Sequence, residues 1–261
     1  MNILSTLSIF TAALLGLQSA NAATASEAGT PPTDAFARGV ALLDAFKDRE
    51  AIPFLEKACA ANPTNPAVLT RLTEAYCNAG DDLDNKESEA YYVKGVACAE
   101  KLKTLAPDKA DTYFRLCVAY GDLALFKGGK EKVTLSRNIE TLARKGIELD
   151  PSDSHCYSVL GVYYREVASL NPVLRAFAKY LLGGLPDGTY EDSARMFLKS
   201  IELDPGNVYG HYQLAGTYEK MDAPGKAAAM YRKVLELPIV DHQDAKWRLI
   251  ATERLKALKP N

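Results

Sequence analysis

Residues 211–238 read HYQLAGTYEKMDAPGKAAAMYRKVLELP, and this stretch decides the fold. His211, Leu214, Ala215 and Tyr218 follow one another at three- and four-residue spacing, the mark of one face of a helix. Asp222-Ala-Pro-Gly225 supplies a turn. Ala227 and Tyr231 open a second helical run, and Pro238 closes it. The closing phrase has four precedents upstream: Ala-Ala-Asn-Pro63, Thr-Leu-Ala-Pro107, Glu-Leu-Asp-Pro151 and Glu-Leu-Asp-Pro205. The five prolines are separated by 44, 44, 54 and 33 residues. Recurrence at this period means stacked helical hairpins rather than one globular core.

The hairpins resemble tetratricopeptide repeats. That pattern asks for a large residue, Leu-Gly and an aromatic in the first helix, then a small residue, a large one and a closing Pro. Small residues let the paired helices approach, and large ones fill the gap to the next hairpin. The fourth repeat carries Tyr157, Leu160-Gly161 and Tyr164, then Phe197 and Pro205. The third carries Tyr113, Leu116-Cys117 and Tyr120, then Ala143 and Pro151. The second carries Leu69, Leu72-Thr73 and Tyr76, then Ala99 and Pro107. The first is degenerate, with Gly39, Leu42, Ala51, Leu55, Ala58 and Pro63, as expected of a cap. A last helix is expected within residues 241–258, with Ala245, Leu249, Thr252 and Leu255 on one face and Trp247 as a packing residue. The expected fold is all-α: a right-handed superhelix of five hairpins plus a capping helix over residues 34–258.

Three repeats exceed the plain length. Gly80-Asp-Asp-Leu-Asp-Asn85 and Phe126-Lys-Gly-Gly-Lys130 read as lengthened inner loops. Residues 167–189 differ. Leu170, Val173, Leu174, Phe177, Tyr180, Leu181 and Leu182 form a mostly apolar helical segment, started by Asn171-Pro172 and stopped by Gly183-Gly184. This extra helix in the fourth repeat either packs on a neighbouring repeat or lids a groove. Val173, Leu174, Phe177 and Leu181 are its candidate contact residues.

Residues 1–26 hold no charged side chain. An apolar run from Ile3 to Leu17 precedes Ala20-Asn21-Ala22, a small-x-small cleavage pattern. The reading is a signal peptide over residues 1–22 cut after Ala22, a flexible leader over 23–33, and export, to a bacterial periplasm first of all. The alternative is an uncleaved membrane anchor, although about fifteen apolar residues fall short of the roughly 20 a spanning helix needs.

The chain's 31 basic and 33 acidic residues give a net charge of −2, so no field exists to hold nucleic acid. Cys59, Cys77, Cys98, Cys117 and Cys156 are odd in number and widely spaced, which suits buried thiols rather than a disulfide framework or zinc site. Cys77 with Cys117 is the best pair if one forms. No phosphate loop, zinc-protease motif or nucleophile elbow is present. His155, His211 and His242 lie far apart, and a metal shared by the first two lacks a third ligand. The expectation is a protein with no enzymatic activity, cofactor or metal.

Register places the groove. If the Leu of Leu-Gly is position seven, positions two, five, nine and twelve of each first helix face inward. These positions include Phe36 and Val40, Phe114 and Val118, Val162 and Arg165, and Tyr209 and Tyr212, with Leu43, Glu74, His155, Ser158 and Glu219 alongside. The alternative at each position is packing inside the superhelix. The lining is more apolar than charged. Capturing a peptide carboxylate needs several converging donors, and only Arg165 qualifies. Two occupants follow: a protein segment lying in the concave groove of an envelope scaffold, or a hydrophobic molecule such as a phospholipid.

From Glu148 to Leu258 the chain resembles the regulator of microtubule dynamics family. The residues that carry this are Leu160-Gly-Val-Tyr-Tyr, the apolar insert, Leu185-Pro-Asp-Gly-Thr-Tyr-Glu-Asp-Ser-Ala194, Phe197-Leu-Lys-Ser-Ile-Glu-Leu-Asp-Pro205 and Leu235-Glu-Leu-Pro-Ile-Val-Asp-His-Gln-Asp-Ala245. The resemblance implies a non-enzymatic interaction domain. It also implies microtubule association for members that meet tubulin, and phospholipid binding in the repeat domain for a membrane-anchored member. Export would exclude the microtubule role and leave the lipid role open.

Overall fold

Each marker proline stands two residues beyond the end of a helix. Pro63 follows α2 (Asp48–Ala61), Pro107 follows α4 (Lys86–Leu105) and Pro151 follows α7 (Ile139–Leu149). Pro205 follows α10 (Tyr190–Leu203) and Pro238 follows α12 (Pro224–Glu236). The residue between helix and proline still donates its N–H to the carbonyl four back, as Asp150 does to Gly146 (2.9 Å) and Asp204 to Ser200 (2.9 Å). Proline has no N–H to continue that ladder, so the helix ends there.

The computed structural model describes residues 34–83, 86–183, 188–241 and 243–258, except for the side chain of Leu182. The expected signal peptide and leader lie outside the described residues. The remaining helices are α1 (Asp34–Asp44), α3 (Pro66–Asp81), α5 (Ala110–Lys127), α6 (Gly129–Ser136), α8 (Ser154–Ala168), α9 (Pro172–Leu182), α11 (Val208–Lys220) and α13 (Asp244–Ala257). No other regular secondary structure occurs among the described residues. The hairpins are α1–α2, α3–α4, α5–α7, α8–α10 and α11–α12, each packed on the next, with α13 on α12 and α11. The fold is the right-handed tetratricopeptide-type superhelix.

The core is a series of clusters rather than one centre. Leu43, Ala51, Leu55 and Tyr76 join the first two hairpins. Cys77, Tyr113, Leu116, Ala143 and Leu160 join the second, third and fourth. Val208, Ala215, Ala227, Tyr231, Val234 and Ala251 seal the last hairpin under α13. Leu116, Leu160 and Leu214, the leucine of three successive repeats, are almost wholly buried. Each stabilises the stack by about 1.5–3 kcal/mol relative to exposure. Between α8, α10 and α11, hydroxyls replace bulk at the close contacts. Ser193 Oγ donates to Gly161 O (2.8 Å), and the Ser158 and Ser200 hydroxyls lie 2.8 Å apart.

Two loop expectations are corrected. Gly80 and Asp81 belong to α3, and the second repeat spends its extra length on the 20 residues of α4. Phe126 and Lys127 end α5, Gly128 turns the chain at φ 66°, and α6 begins at once. The third repeat therefore holds an extra helix where a loop was expected. The apolar insert is a helix, α9, started by the Asn171 side chain accepting from Leu174 N (2.9 Å) and ended at Gly183 with φ 70°. It packs on α6, so the two inserts cover each other.

Candidate functional site

Helices α3, α5, α8 and α11 each turn one face toward a shared concavity, bordered by the two inserts and the α12–α13 connection. The result is a cavity of about 740 Å³. Phe114, Val118, Gly121, Asp122 and Leu125 line it from α5, at three- and four-residue spacing. His155, Ser158, Val159, Val162, Tyr163, Glu166 and Val167 line it from α8. Cys77, Asn78 and Asp81 come from the end of α3, and Val208, Tyr209 and Gln213 from α11. Lys132, Val133 and Ser136 of α6, Leu170, and Ala178 of α9 form a further wall. Val240, Gln243, Asp244 and Trp247 complete the lining from the α12–α13 connection and α13.

The closing connection is tied down. Asp244 accepts the N–H groups of Val240 and Asp241, both at 2.9 Å. Gln243 Nε2 donates to Asp81 Oδ2 at the end of α3, which also accepts the Tyr92 hydroxyl at Oδ1 (2.7 Å). Trp247 stacks on Tyr212, with ring centroids 4.5 Å apart, and lies 6.0 Å from Tyr209.

The cavity wall is less charged than its residue names suggest. Lys132 is paired with Glu166. Asp122 Oδ2 is buried without a hydrogen-bond partner. Burial first, and the charge of Asp81 second, push the Asp122 carboxyl well above the usual carboxylate range; a contact with the Cys77 thiol opposes them. Burial also pushes the Cys77 thiol up. His155 behaves oppositely: Asp153 holds its ring Nδ1 at 2.5 Å and raises its pKa.

Of the residues chosen by register, Phe114, Val118, Val162 and Tyr209 line the cavity, as do His155 and Ser158. Four others do not. Phe36 packs in part against the Leu43–Ala51 cluster, and Val40 is half-buried on α1, one hairpin too far away. Arg165 Nη1 donates to Gln213 O (3.1 Å), and Tyr212 is covered by Trp247. Glu74 is drawn off to Arg71 and Arg115, and Glu219 to Tyr231 and Arg254. On α9, Leu174, Phe177 and Leu181 are half-buried and Val173 is exposed; Ala178 and the preceding Leu170 face the cavity instead. Asp81, Asp122 and Trp247 were missed. Extending the Phe114–Val118 stripe by one turn reaches Asp122; no sequence signal reaches the other two.

All five cysteines are free thiols, so Cys77 and Cys117 are not paired. Cys77, Cys117 and Cys156 are buried, whereas Cys59 and Cys98 are half-buried. No group of three potential metal ligands occurs among the described residues.

These features define a helical repeat protein with a half-open cavity on its concave side. The chain belongs to the family described as regulator of microtubule dynamics protein 1-3, whose model matches residues 38–259. It is 26% identical over 178 residues to mouse regulator of microtubule dynamics protein 2, covering 67% of this chain and 43% of that protein. It is 28% identical over 150 residues to mouse regulator of microtubule dynamics protein 1, covering 57% and 48%. The chain thus spans less than half the length of these relatives. Among solved structures it is similar to a thermophilic tetratricopeptide protein of Thermus thermophilus, with a TM-score of 0.64, 17% identity and coverage of 87% and 100%.

Proposed function

We propose that the chain is a non-enzymatic binding protein whose cavity takes a small, predominantly apolar molecule of the lipid kind. The observation that carries this reading is the half-open, apolar-walled cavity of about 740 Å³. Its size is within the roughly 300–1,000 Å³ of small-molecule sites. Val118, Val159, Val162, Tyr163, Val167 and Leu170 give it an apolar wall, and among its charged groups Lys132 and Glu166 pair with each other. A peptide lying along the first helices would meet α6, α9 and the α12–α13 connection at the edges of the same face, which favours the smaller occupant.

Trp247 is the only tryptophan, and it lines the cavity. Titration with N-phenyl-1-naphthylamine, a neutral apolar fluorophore, is expected to give saturable energy transfer from Trp247 at one probe per chain. Val118→Phe with Val162→Phe narrows the cavity and is expected to weaken transfer while the helical circular dichroism persists. Transfer of unchanged affinity in the narrowed variant would place the probe elsewhere and end this reading.

Family membership supports a second reading, association with microtubules. Pelleting of the full chain with stabilised microtubules tests it, and export of the mature chain would oppose it.

A further inference from the structure

Helix α9 has two faces with different tasks. Its inner side, Leu174, Ala178 and Leu181, packs inward, and Ala178 reaches the cavity wall. Its outer side is apolar where a surface helix is normally polar. Val173 is 69% exposed and Tyr180 88% exposed, with Ala176 exposed between them. These residues fall on one stripe at three- and four-residue spacing. Arg175 and Lys179, one turn apart, flank that stripe and are exposed. Lys130 of α6 lies over the Phe177 ring at 5.3 Å, extending the basic edge.

The charge around this face is one-sided. No Asp or Glu occurs from Val167 to Gly183. Two acids near this face in sequence are occupied: Glu166 by Lys132, and Glu131, next to Lys130, by Lys127. Among the described residues Arg175, Lys179 and Lys130 have no ion pair. A chain of net charge −2 thus presents three unpaired cations beside an exposed Val and Tyr. Apolar residues flanked by cations, with an aromatic at the boundary, are what lies flat in the headgroup layer of an anionic bilayer. At 11 residues α9 rests on such a surface rather than crossing it, and no described helix is long and apolar enough to cross.

We infer that the outer face of α9, with Val173, Tyr180, Arg175, Lys179 and Lys130, is a docking surface for anionic lipid membrane. It goes beyond the cavity reading and stands on the surface of α9 alone. Together the two would put a wall of the cavity against the source of an apolar ligand.

The experiment is co-sedimentation of the full chain with phosphatidylcholine vesicles, with and without 30 mol% phosphatidylglycerol. Residues 1–26 hold no charged side chain, and their amino terminus is common to the parent chain and every variant. The part of the phosphatidylglycerol gain that the charge reversal removes therefore reads the basic surface. A gain of about a hundredfold that shrinks at high salt is expected, since each of the three cations near such a surface contributes about fivefold. Arg175→Glu with Lys179→Glu should lower anionic-vesicle binding by about tenfold or more. Val173→Ser with Tyr180→Ser should lower it at unchanged salt dependence. Helical circular dichroism and the naphthylamine titration report that each variant is folded, so cavity and surface fail separately. No gain from phosphatidylglycerol, or a gain untouched by the charge reversal, would overturn the inference. Microtubule pelleting that the charge reversal removes, with vesicle binding unaffected, would assign the face to an acidic protein surface instead.

Discussion

Tyr113, Tyr157 and His211 occupy the same place in three successive repeats, six residues after the marker proline, and each reaches back to it. Tyr113 Oη donates to Pro107 O (2.9 Å), Tyr157 Oη to Pro151 O (3.3 Å), and His211 Nε2 lies 3.2 Å from Pro205 O. The side chain thus satisfies a carbonyl that the ended helix leaves open. His211 does this less well than tyrosine, because its Nδ1 is buried without a partner. Burial lowers its pKa, so the folded chain prefers the neutral ring. The sign follows. His211 contributes fully above its unfolded pKa of about 6.5 and loses that contribution as pH falls through the lower folded value. His155 has the opposite sign, because Asp153 raises its pKa; its contribution is complete below about pH 6.5 and fades as pH rises through the folded value. His211→Tyr should keep the bond to Pro205 and remove the orphaned nitrogen, a gain of about 1 kcal/mol. It should also flatten the loss of melting temperature between pH 7 and pH 5. An unchanged acid slope in thermal unfolding would show that His211 is not its source.

Helices α8 and α10 meet closely where the Leu-Gly phrase predicted a small residue. A Cβ on Gly161 would lie 2.7 Å from the Phe197 ring, and Phe197 is wholly buried with nowhere to move. Gly161→Ala should therefore cost about 1–3 kcal/mol, the range of overpacked cores. Gly183→Ala is the control. Its Cβ meets open space, and only the φ of 70° opposes it, at about 1–2 kcal/mol confined to the end of α9. Urea unfolding should show a lower midpoint for Gly161→Ala at unchanged m-value; equal midpoints for it and the wild type would mean that the α8–α10 contact yields freely. The legible elements are those with such internal punctuation. Helix α9 carried its Asn-Pro start and glycine stop in the sequence. Helix α6 buries only Val133 and is held by its neighbours, so its eight residues showed no apolar period and read as a loop. On α13 the expected stripe was misplaced. Ala245 and Leu249 are exposed, because the helix turns Asp244, Trp247 and Ala251 inward, and a buried Asp is invisible to an apolar pattern.

Across the whole repeat unit, contacts run from each hairpin to the next, and stacked arrays of this kind are nearly one-dimensional. The α12–α13 connection breaks that rule, since Gln243 reaches Asp81 across 162 positions of sequence. This explains how much of the site could be read. Phe114, Val118, Val162 and Tyr209 repeat the register of their own helices and need no knowledge of neighbours. Phe36 and Val40 obey the same register but stand in the first hairpin, outside the closure. Gln243, Trp247 and Ala178 reach the cavity only because the chain returns over it, which no local pattern encodes. The same tie makes the last prediction. If the connection covers the cavity mouth, breaking the Gln243–Asp81 bond should ease opening without unfolding a repeat. Gln243→Ala removes a bond to a carboxylate at the partly exposed cavity edge, worth about 1 kcal/mol, or about fivefold in the open fraction. Gln243→Glu sets a second carboxylate against Asp81 and should open the mouth further at neutral pH than at pH 4, where the added acid is largely protonated. Stopped-flow release of N-phenyl-1-naphthylamine, followed through Trp247, should accelerate in that order, with equilibrium helicity unchanged. Identical release rates in the wild type and both variants would mean that ligands enter past α6 and α9, on the side where the basic apolar face stands.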